Sequence, residues 1–152
     1  MPSSQDRLFA VPDDGRAPGF AEAPPAELGV TSMVVNLGTV PVPHFDLYIG
    51  RDFRGYRDQG FGNPLRLRKD RPLERAALLV AYWDWLNGTS PRACAVRRRA
   101  RAGELTGKVL GCWCAGKGIC HGHLLAGVAA GQIEAVRRWV SALDQWSRAA
   151  TG

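Results

Sequence analysis

The sequence has no hydrophobic run that approaches the roughly 20 residues needed to cross a membrane, so no membrane partner is expected. The segment from Met1 to Arg7 lacks the apolar stretch of a secretory signal peptide, and a cytoplasmic location is therefore expected. There are only four cysteines, and in a reducing compartment they are not expected to form a disulfide framework. The absence of an internal repeat argues against a repeat architecture.

The size and charge of the chain narrow its class. With 152 residues, of which 45% are hydrophobic, it is long enough for one compact domain with its own core. The formal net charge of +6 suits anionic partners such as nucleotides, phosphorylated metabolites or nucleic acid. Nothing in the sequence indicates an oligomeric state.

Composition divides the chain into two parts. Residues 1–30 are rich in proline, alanine, glycine and acidic side chains and predict a flexible arm, so the domain is expected to span residues 31–152. Apolar patterns within that domain predict three strands: Ser32–Gly38, Phe45–Arg51 and Lys108–Cys114. Helical spacing, proline starts and glycine stops predict four helices: Pro72–Asn87, Pro91–Ala102, His121–Ala130 and Gln132–Ala149.

Alternation of these strands and helices predicts an α/β fold, a single small domain with a mostly parallel sheet flanked by helices. Ligands of such sheets bind beyond the carboxyl ends of the strands. The loop after Arg51 and the loop after Cys114 both follow predicted strand ends. We therefore expect the two loops to contribute to one site.

Three of the four cysteines and two of the three histidines lie within the twelve residues from Cys112 to His123. Thiolate and imidazole ligands at such short spacing are typical of a Zn²⁺ site. On an extended segment Cys112 and Cys114 share a face, and Cys120 returns after a short glycine-containing loop. His121 or His123 would supply a fourth ligand and close the site, whereas three ligands would leave room for water.

Three other interpretations of this segment stay open. Cys120 lies at the start of a predicted helix, where free N–H groups favour a reactive thiolate, with His121 or His123 as its base. The same helix start would also bind an anion, with Lys117 nearby. Alternatively Cys112 is a small core residue. Cys94, on its own helix, is expected to be a core or surface residue and not a ligand.

A second group of polar residues follows the second predicted strand. Arg51 carries a fork-shaped cation suited to phosphate or carboxylate, and Tyr48 shares that strand. Asn63 lies in a rigid Gly-Asn-Pro turn, and Arg71 precedes the first long helix; both are candidate ligand-binding residues. The competing interpretation is that Arg51 pairs with a local carboxylate and Asn63 stabilises its own turn.

Taken together, these motifs resemble a family of small uncharacterised domains, of unknown function, found in bacteria and their phages. The order of motifs is Tyr48-Ile49-Gly50-Arg51, Gly62-Asn63-Pro64, Gly107-Lys108-Val109-Leu110, Cys112-Trp113-Cys114 and Cys120-His121-Gly122. The resemblance covers residues 34–130 and leaves the C-terminal helix, 132–149, outside. It implies one α/β domain and no particular activity. The loop before Cys120 lacks the proline expected in the family, and His123 replaces an expected acidic residue, which favours His121 as the ligand.

Three functions compete on this basis. The first is an enzyme or nucleotide-processing protein that acts on a phosphate-bearing or nucleotide-like ligand, with Cys120 and His121 as catalytic residues. The second is a zinc-stabilised module that binds nucleic acid or a nucleotide without catalysis. Its cations would be Arg66, Arg68, Lys69, Arg97, Arg98, Arg99 and Arg101. The third is an interaction protein in which Trp139 and Trp146 are exposed on the last helix and form a partner surface. The competing interpretation is core packing, because the apolar residues of that helix share one face: Ile133, Val136, Trp139, Val140 and Leu143.

Overall fold

Three short parallel strands form the centre of the fold. A computed structural model describes residues 8–30, 33–114 and 118–151. The strands are β1 (Val34–Asn36), β2 (Leu47–Tyr48) and β3 (Leu110–Cys112), and their order in the sheet is β1-β3-β2 with both pairings parallel. The predicted α/β class with a small parallel sheet is confirmed.

The central strand, β3, is buried along its whole length. Its register pairs Cys112 with Asn36 of β1, and Gly111 with Tyr48 of β2, so the carboxyl ends of all three strands lie at one edge. A Cβ atom on Gly111 would lie 2.9 Å from the ring of Phe45, which explains a glycine at this point. The strands are shorter than predicted, although backbone hydrogen bonds from Leu37 to Cys112 and from Ile49 to Gly111 continue one residue beyond β1 and β2. Ser32, the predicted start of the first strand, lies outside the described residues.

The helices surround this sheet. They are α1 (Gly19–Glu22), a short 3₁₀ helix (Ala26–Leu28), α2 (Pro72–Leu86), α3 (Pro91–Arg101), α4 (His121–Ala129) and α5 (Ile133–Thr151). The four helices predicted from the sequence are confirmed, with ends that differ by two residues at most. None of the helices in the described ranges is long and apolar enough to cross a lipid bilayer.

Helix α2 is the main packing element. Its proline at the first turn fits the free N-terminal N–H positions. The buried residues Arg75, Leu79, Tyr82 and Leu86 recur at helical spacing and therefore share one face. The most extensive helix contact of the fold joins α2 to α5.

Helix α5 buries the apolar face that its sequence predicts. Val136, Trp139, Val140 and Leu143 are buried, whereas Ile133, which was predicted to share that face, is 37% exposed. Trp139 is fully buried and its Nε1 donates a hydrogen bond of 2.7 Å to the carbonyl of Phe20. The suggestion that Trp139 is exposed for a partner is therefore wrong, because its ring fills the core. Trp146 is half-buried against the same core.

The N-terminal segment contributes to the core in its second half. Phe20, Leu28 and Val30 are buried, and α1 packs against both α2 and α5. These residues therefore extend the core beyond the predicted start of the domain at residue 31. Residues 1–7 of the predicted arm lie outside the described residues.

Candidate metal centre and adjoining cavity

Three cysteine sulfurs converge at the carboxyl end of β3. The Sγ atoms of Cys112 and Cys114 are 3.4 Å apart, those of Cys112 and Cys120 are 3.0 Å apart, and those of Cys114 and Cys120 are 2.7 Å apart. We call these three residues the sulfur cluster. Sulfurs around a tetrahedral Zn²⁺ with bonds of about 2.3 Å are separated by roughly 3.8 Å, so a small expansion would admit the ion. The cluster is a group of side chains that could hold a metal ion.

His121 completes the surroundings of the cluster. Its Nδ1 lies 3.6 Å from the sulfur of Cys120 and 4.0 Å from that of Cys114. Its Nε2 lies 2.9 Å from the carbonyl oxygen of Ile49. Because a carbonyl only accepts, this contact requires a proton on Nε2, so in the neutral imidazole the lone pair belongs to Nδ1, the nitrogen near the sulfurs. A histidine that binds a metal typically donates its other N–H in this way.

His123 has a different role at the start of α4. Its Nδ1 accepts a hydrogen bond of 3.0 Å from the backbone N–H of Cys120, and together with the Cys120 side chain it forms a capping box. Burial lowers the pKa of His123 to about 4, so the ring is neutral and able to accept at neutral pH. Of the two histidines, His121 is therefore the one beside the sulfurs.

Gly122 allows α4 to approach the sheet. A Cβ atom at this position would lie 2.6 Å from Cδ1 of Ile49 and 3.1 Å from Cγ1 of Val34. The close approach places the helix start, and with it Cys120 and His121, against the end of β2. The sequence Cys-His-Gly thus combines two candidate ligands with the small residue that positions them.

The pKa values of the three thiols are shifted in different directions. Hydrogen bonds from Cys114 and Cys120 hold the pKa of Cys112 well below the usual range of a thiol. The same bond to Cys112 raises the pKa of Cys114, and burial raises the pKa of Cys120 well above its ordinary value. Cys120 does accept a contact of 3.4 Å from the N–H of Gly122, as its helix-start position predicts. Burial outweighs that contact, which disfavours a free thiolate at Cys120.

Arg75 fixes the backbone of the segment that carries the cysteines. The residue is buried, and its Nη1 donates to the carbonyl oxygens of Ile119 at 3.2 Å and Cys114 at 3.5 Å. Its Nε forms an ion pair of 2.5 Å with Asp70. These bonds join the two ends of the loop that carries the cluster. Sequence reasoning missed Arg75, although its spacing from Leu79 on α2 already places it on the buried face.

A cavity of about 380 Å³ lies beside the cluster, beyond the carboxyl ends of β2 and β3. Its walls include the sulfur cluster and His121, together with Arg51 and Asn63 from the segment that follows β2. The two predicted loops therefore meet at one edge of the sheet. Clefts of this position and size are where α/β proteins bind small ligands.

Arg51 lies on the wall of this cavity with part of its guanidinium in use. Nη1 donates to the carbonyl oxygens of Asn63 at 3.3 Å and Leu65 at 3.2 Å. Within the described ranges, Nη2 and Nε have no hydrogen-bond partner, and Arg51 makes no ion pair. The alternative that Arg51 pairs with a local carboxylate thus finds no such contact among those residues. The free side of the fork suits a bidentate anion.

The other candidate ligand-binding residues differ in position. Tyr48 lines the cavity, and its hydroxyl donates to the Arg51 carbonyl at 2.5 Å, which orders the start of the loop. Asn63 is buried, and its Oδ1 accepts from the N–H of Leu65 at 2.9 Å, so its amide stabilises its own turn. Arg71 pairs with Glu74 at 2.9 Å and is not among the described residues that line the cavity.

The cations proposed for nucleic-acid binding also separate into groups. Arg97 donates to the carbonyl oxygens of Leu86 and Gly88, and Arg99 pairs with Glu104 at 2.8 Å, so these two arginines stabilise the fold itself. Those that remain exposed are Arg66, Arg68, Lys69, Arg98 and Arg101. Arg66 alone of this exposed group lines the cavity. Cys94 is half-buried on α3, as expected for a residue outside the cluster.

Fold and site together define a small α/β domain with a cysteine–histidine cluster and a cavity at the ends of its parallel strands. A family model described as a domain of unknown function (DUF4326) matches residues 36–131. The chain belongs to this family, and the predicted resemblance is confirmed. The match contains the cluster and the cavity and leaves α1 and α5 outside. No curated protein and no solved structure matches the chain.

Proposed function

We propose that the protein is a zinc-binding domain that holds a small phosphate-bearing ligand in the cavity beside the metal. The observation that carries this proposal is the shared cavity: the sulfur cluster and Arg51 line the same space of about 380 Å³. A metal centre and an anion-binding arginine would then act on one ligand.

The case for a metal rests on the donor set. Three sulfurs lie within 3.4 Å of one another. His121 directs its Nδ1 at them while Nε2 is fixed by a backbone carbonyl. Three thiols and one imidazole are a donor set that Zn²⁺ prefers. A divalent ion would also stabilise thiolates that burial otherwise disfavours, because a coordinated thiol is deprotonated.

The case for a phosphate-bearing ligand rests on the cations. The free side of the Arg51 guanidinium and the exposed Arg66 both line the cavity. Arginine binds phosphate through two parallel hydrogen bonds, which a planar fork provides and a lysine does not. The excess of basic residues over the whole chain, +6, adds a favourable field for an anion.

Catalysis is a second candidate, favoured by the direct contact of the cluster with the cavity. If only the three cysteines bind the metal, a water molecule takes the fourth position and His121 is free to act as a base. If His121 is the fourth ligand, the site is closed and structural. Burial of Cys120 favours its role as a ligand over that of a free nucleophile.

Ligand binding tests the proposal through Arg51. Inorganic phosphate and ribose 5-phosphate would be titrated into the zinc-loaded protein by calorimetry. We expect binding that weakens by about 10-fold or more in Arg51→Leu, since a hydrogen bond to a charged group contributes about 1.5–3 kcal/mol. Arg51→Lys keeps the charge without the fork and should lie in between.

The matched control is Arg137→Leu, which removes an exposed cation on α5 that pairs with Glu134. It should leave the affinity unchanged. Equal affinity for wild type and Arg51→Leu, in variants that retain zinc and the native circular dichroism spectrum, would contradict the proposed ligand class. Turnover of a phosphate ester would support the catalytic candidate only if Arg51→Leu reduces it.

A further inference from the structure

The mouth of the cavity carries exposed aromatic surface. Phe53 and Trp113 both line the cavity, and their rings meet edge to face with centroids 5.2 Å apart. Phe53 is 49% exposed, although burial of a phenylalanine ring away from water is favourable. From this arrangement we infer that the mouth stacks a nucleobase, and that the phosphate-bearing ligand is a nucleotide. The inference rests on the proposed function and names its ligand class.

A rigid turn holds Phe53 in this position. The backbone N–H groups of Phe53 and Tyr56 each donate to the carbonyl of the other, at 3.0 and 2.9 Å. Tyr56 also packs edge to face on Trp113, with centroids 5.7 Å apart. The Trp113 ring therefore contacts both the Phe53 and the Tyr56 rings, and the backbone hydrogen bonds fix the turn that carries Phe53. A platform fixed before binding loses little entropy when a flat ring stacks on it.

Arg54 supports the same platform. It adopts φ 49°, a left-handed conformation that side chains other than glycine enter at a cost in free energy. In this conformation its guanidinium lies 5.2 Å from the Phe53 ring centroid and 5.6 Å from that of Trp113. The Arg54 guanidinium thus lies close to both the exposed ring of Phe53 and the half-buried ring of Trp113. Arginine and aromatic faces in combination are how proteins bind bases without reading their sequence.

The platform and the anion-binding arginine line the same cavity, as a single bound nucleotide would require. Arg51 and Phe53 are two residues apart, and two residues span at most about 7 Å of extended chain. A base stacked at Phe53 with its phosphate at Arg51 would leave the ribose inside the cavity. A phosphorylated sugar without a base would leave Phe53 in water, and an apolar ligand without phosphate would leave the Arg51 fork unpaired.

The test compares ligands with and without a base. Zinc-loaded protein would be titrated by calorimetry with ribose 5-phosphate, with the four common nucleoside 5′-monophosphates, and with a single-stranded oligonucleotide of about six residues. We expect at least one mononucleotide, or the oligonucleotide, to bind about 10-fold more tightly than ribose 5-phosphate, the typical effect of one stacked base. Phe53→Ala should remove that advantage and change ribose 5-phosphate affinity less than about 2-fold.

Val40→Ala is the matched control, because Val40 is 91% exposed and does not line the cavity. Equal affinity for ribose 5-phosphate and all base-containing ligands would overturn the inference and leave the proposed function intact. Nucleotide binding by Phe53→Ala that is as tight as that of wild type would also overturn the inference and leave the proposed function intact. Failure of every phosphate-bearing ligand to bind would overturn both. The oligonucleotide and mononucleotide affinities, compared per site, show whether the base belongs to a strand or to a free nucleotide.

Discussion

The sulfur cluster and the mouth of the cavity adjoin each other, but the cluster is buried and the mouth is exposed. Cys112 and Cys120 are 1% and 2% exposed and are held by β3 and the start of α4. Phe53 and Arg51, at the mouth, are exposed and lie on a loop. Residues of the cluster therefore serve the fold as well as the site, whereas residues of the mouth are free to serve a ligand. Substitutions in the cluster should therefore lower the stability of the fold, whereas substitutions at the mouth should mainly lower ligand affinity.

The largest effect is expected from Cys112→Ser. Loss of one ligand should abolish stoichiometric zinc binding, and the free energy of unfolding should fall by more than about 4 kcal/mol because metal binding is coupled to folding. Zinc content and urea unfolding would measure both. Cys94→Ser is the matched control, since Cys94 lies on α3 outside the cluster, and it should retain the metal. Equal zinc content and equal unfolding free energy in the two variants would contradict a metal-binding role for Cys112.

Arg75→Leu should have the next largest effect. It leaves the carbonyls of Cys114 and Ile119 without their donor and Asp70 without its buried cation. A loss of about 2–4 kcal/mol in unfolding free energy is expected from urea titration, discounted for the partial exposure of Asp70. Arg71→Leu breaks a partly exposed pair on the same helix start and should cost less than about 1 kcal/mol. Similar losses in both would show that Arg75 does not position the cluster.

Asp58→Asn tests the loop that carries the mouth, through pH. Burial opposes ionisation of Asp58, but hydrogen bonds from Arg92 and from the N–H groups of Gly60 and Gly62 prevail and lower its pKa. A depressed carboxyl pKa adds stability that is present above the ordinary value of about 4 and is lost as the pH falls below it. We expect Asp58→Asn to cost about 1–2 kcal/mol at pH 7, since charged hydrogen bonds are lost.

The difference between wild type and Asp58→Asn should shrink as the pH falls from about 4 to about 2, measured by urea unfolding at each pH. Glu134→Gln, which breaks an exposed pair on α5, should cost less than about 0.5 kcal/mol at pH 7. A pH-independent difference would mean that the Asp58 charge does not order the loop.

The smallest effect on stability is expected from Phe53→Ala. A half-exposed side chain at the mouth should change the unfolding free energy by less than about 1 kcal/mol, even where ligand affinity falls about 10-fold. Thermal unfolding with and without nucleotide would show both effects on one sample. A loss as large as that of Arg75→Leu would place Phe53 with the fold and end the contrast between the two regions.

The parts of the fold that the sequence predicts well have strong local signals. Helix α2 begins at a proline and repeats apolar residues at helical spacing, so its bounds follow from the chain alone. The strands are predicted in place but not in length, because only pairing with β3 decides that β2 ends at Tyr48. Phe20 and Val30 lie in a segment whose composition predicts an arm, and only the folded structure reveals their burial.

The candidate site divides in the same way. Cys112, Cys114 and Cys120 stand out by spacing alone. Spacing alone cannot choose between His121 and His123, since both lie in the first turn of α4, and only the family resemblance favours His121. The carbonyl of Ile49, far away in sequence, orients His121. Arg75 is hidden because an arginine on an amphipathic helix is normally exposed. The two carbonyls that it holds, those of Cys114 and Ile119, are 39 and 44 positions away.

Metal content is the measurement that tests the central claim most directly. The full chain would be purified without an affinity metal and examined by elemental analysis together with a free-thiol count. The account predicts about one equivalent of zinc, with Cys94 reactive and the sulfur cluster protected until a chelator removes the ion. Protein that carries no metal, takes up none when zinc is supplied, and shows cluster thiols no better protected with zinc than without it would contradict the account.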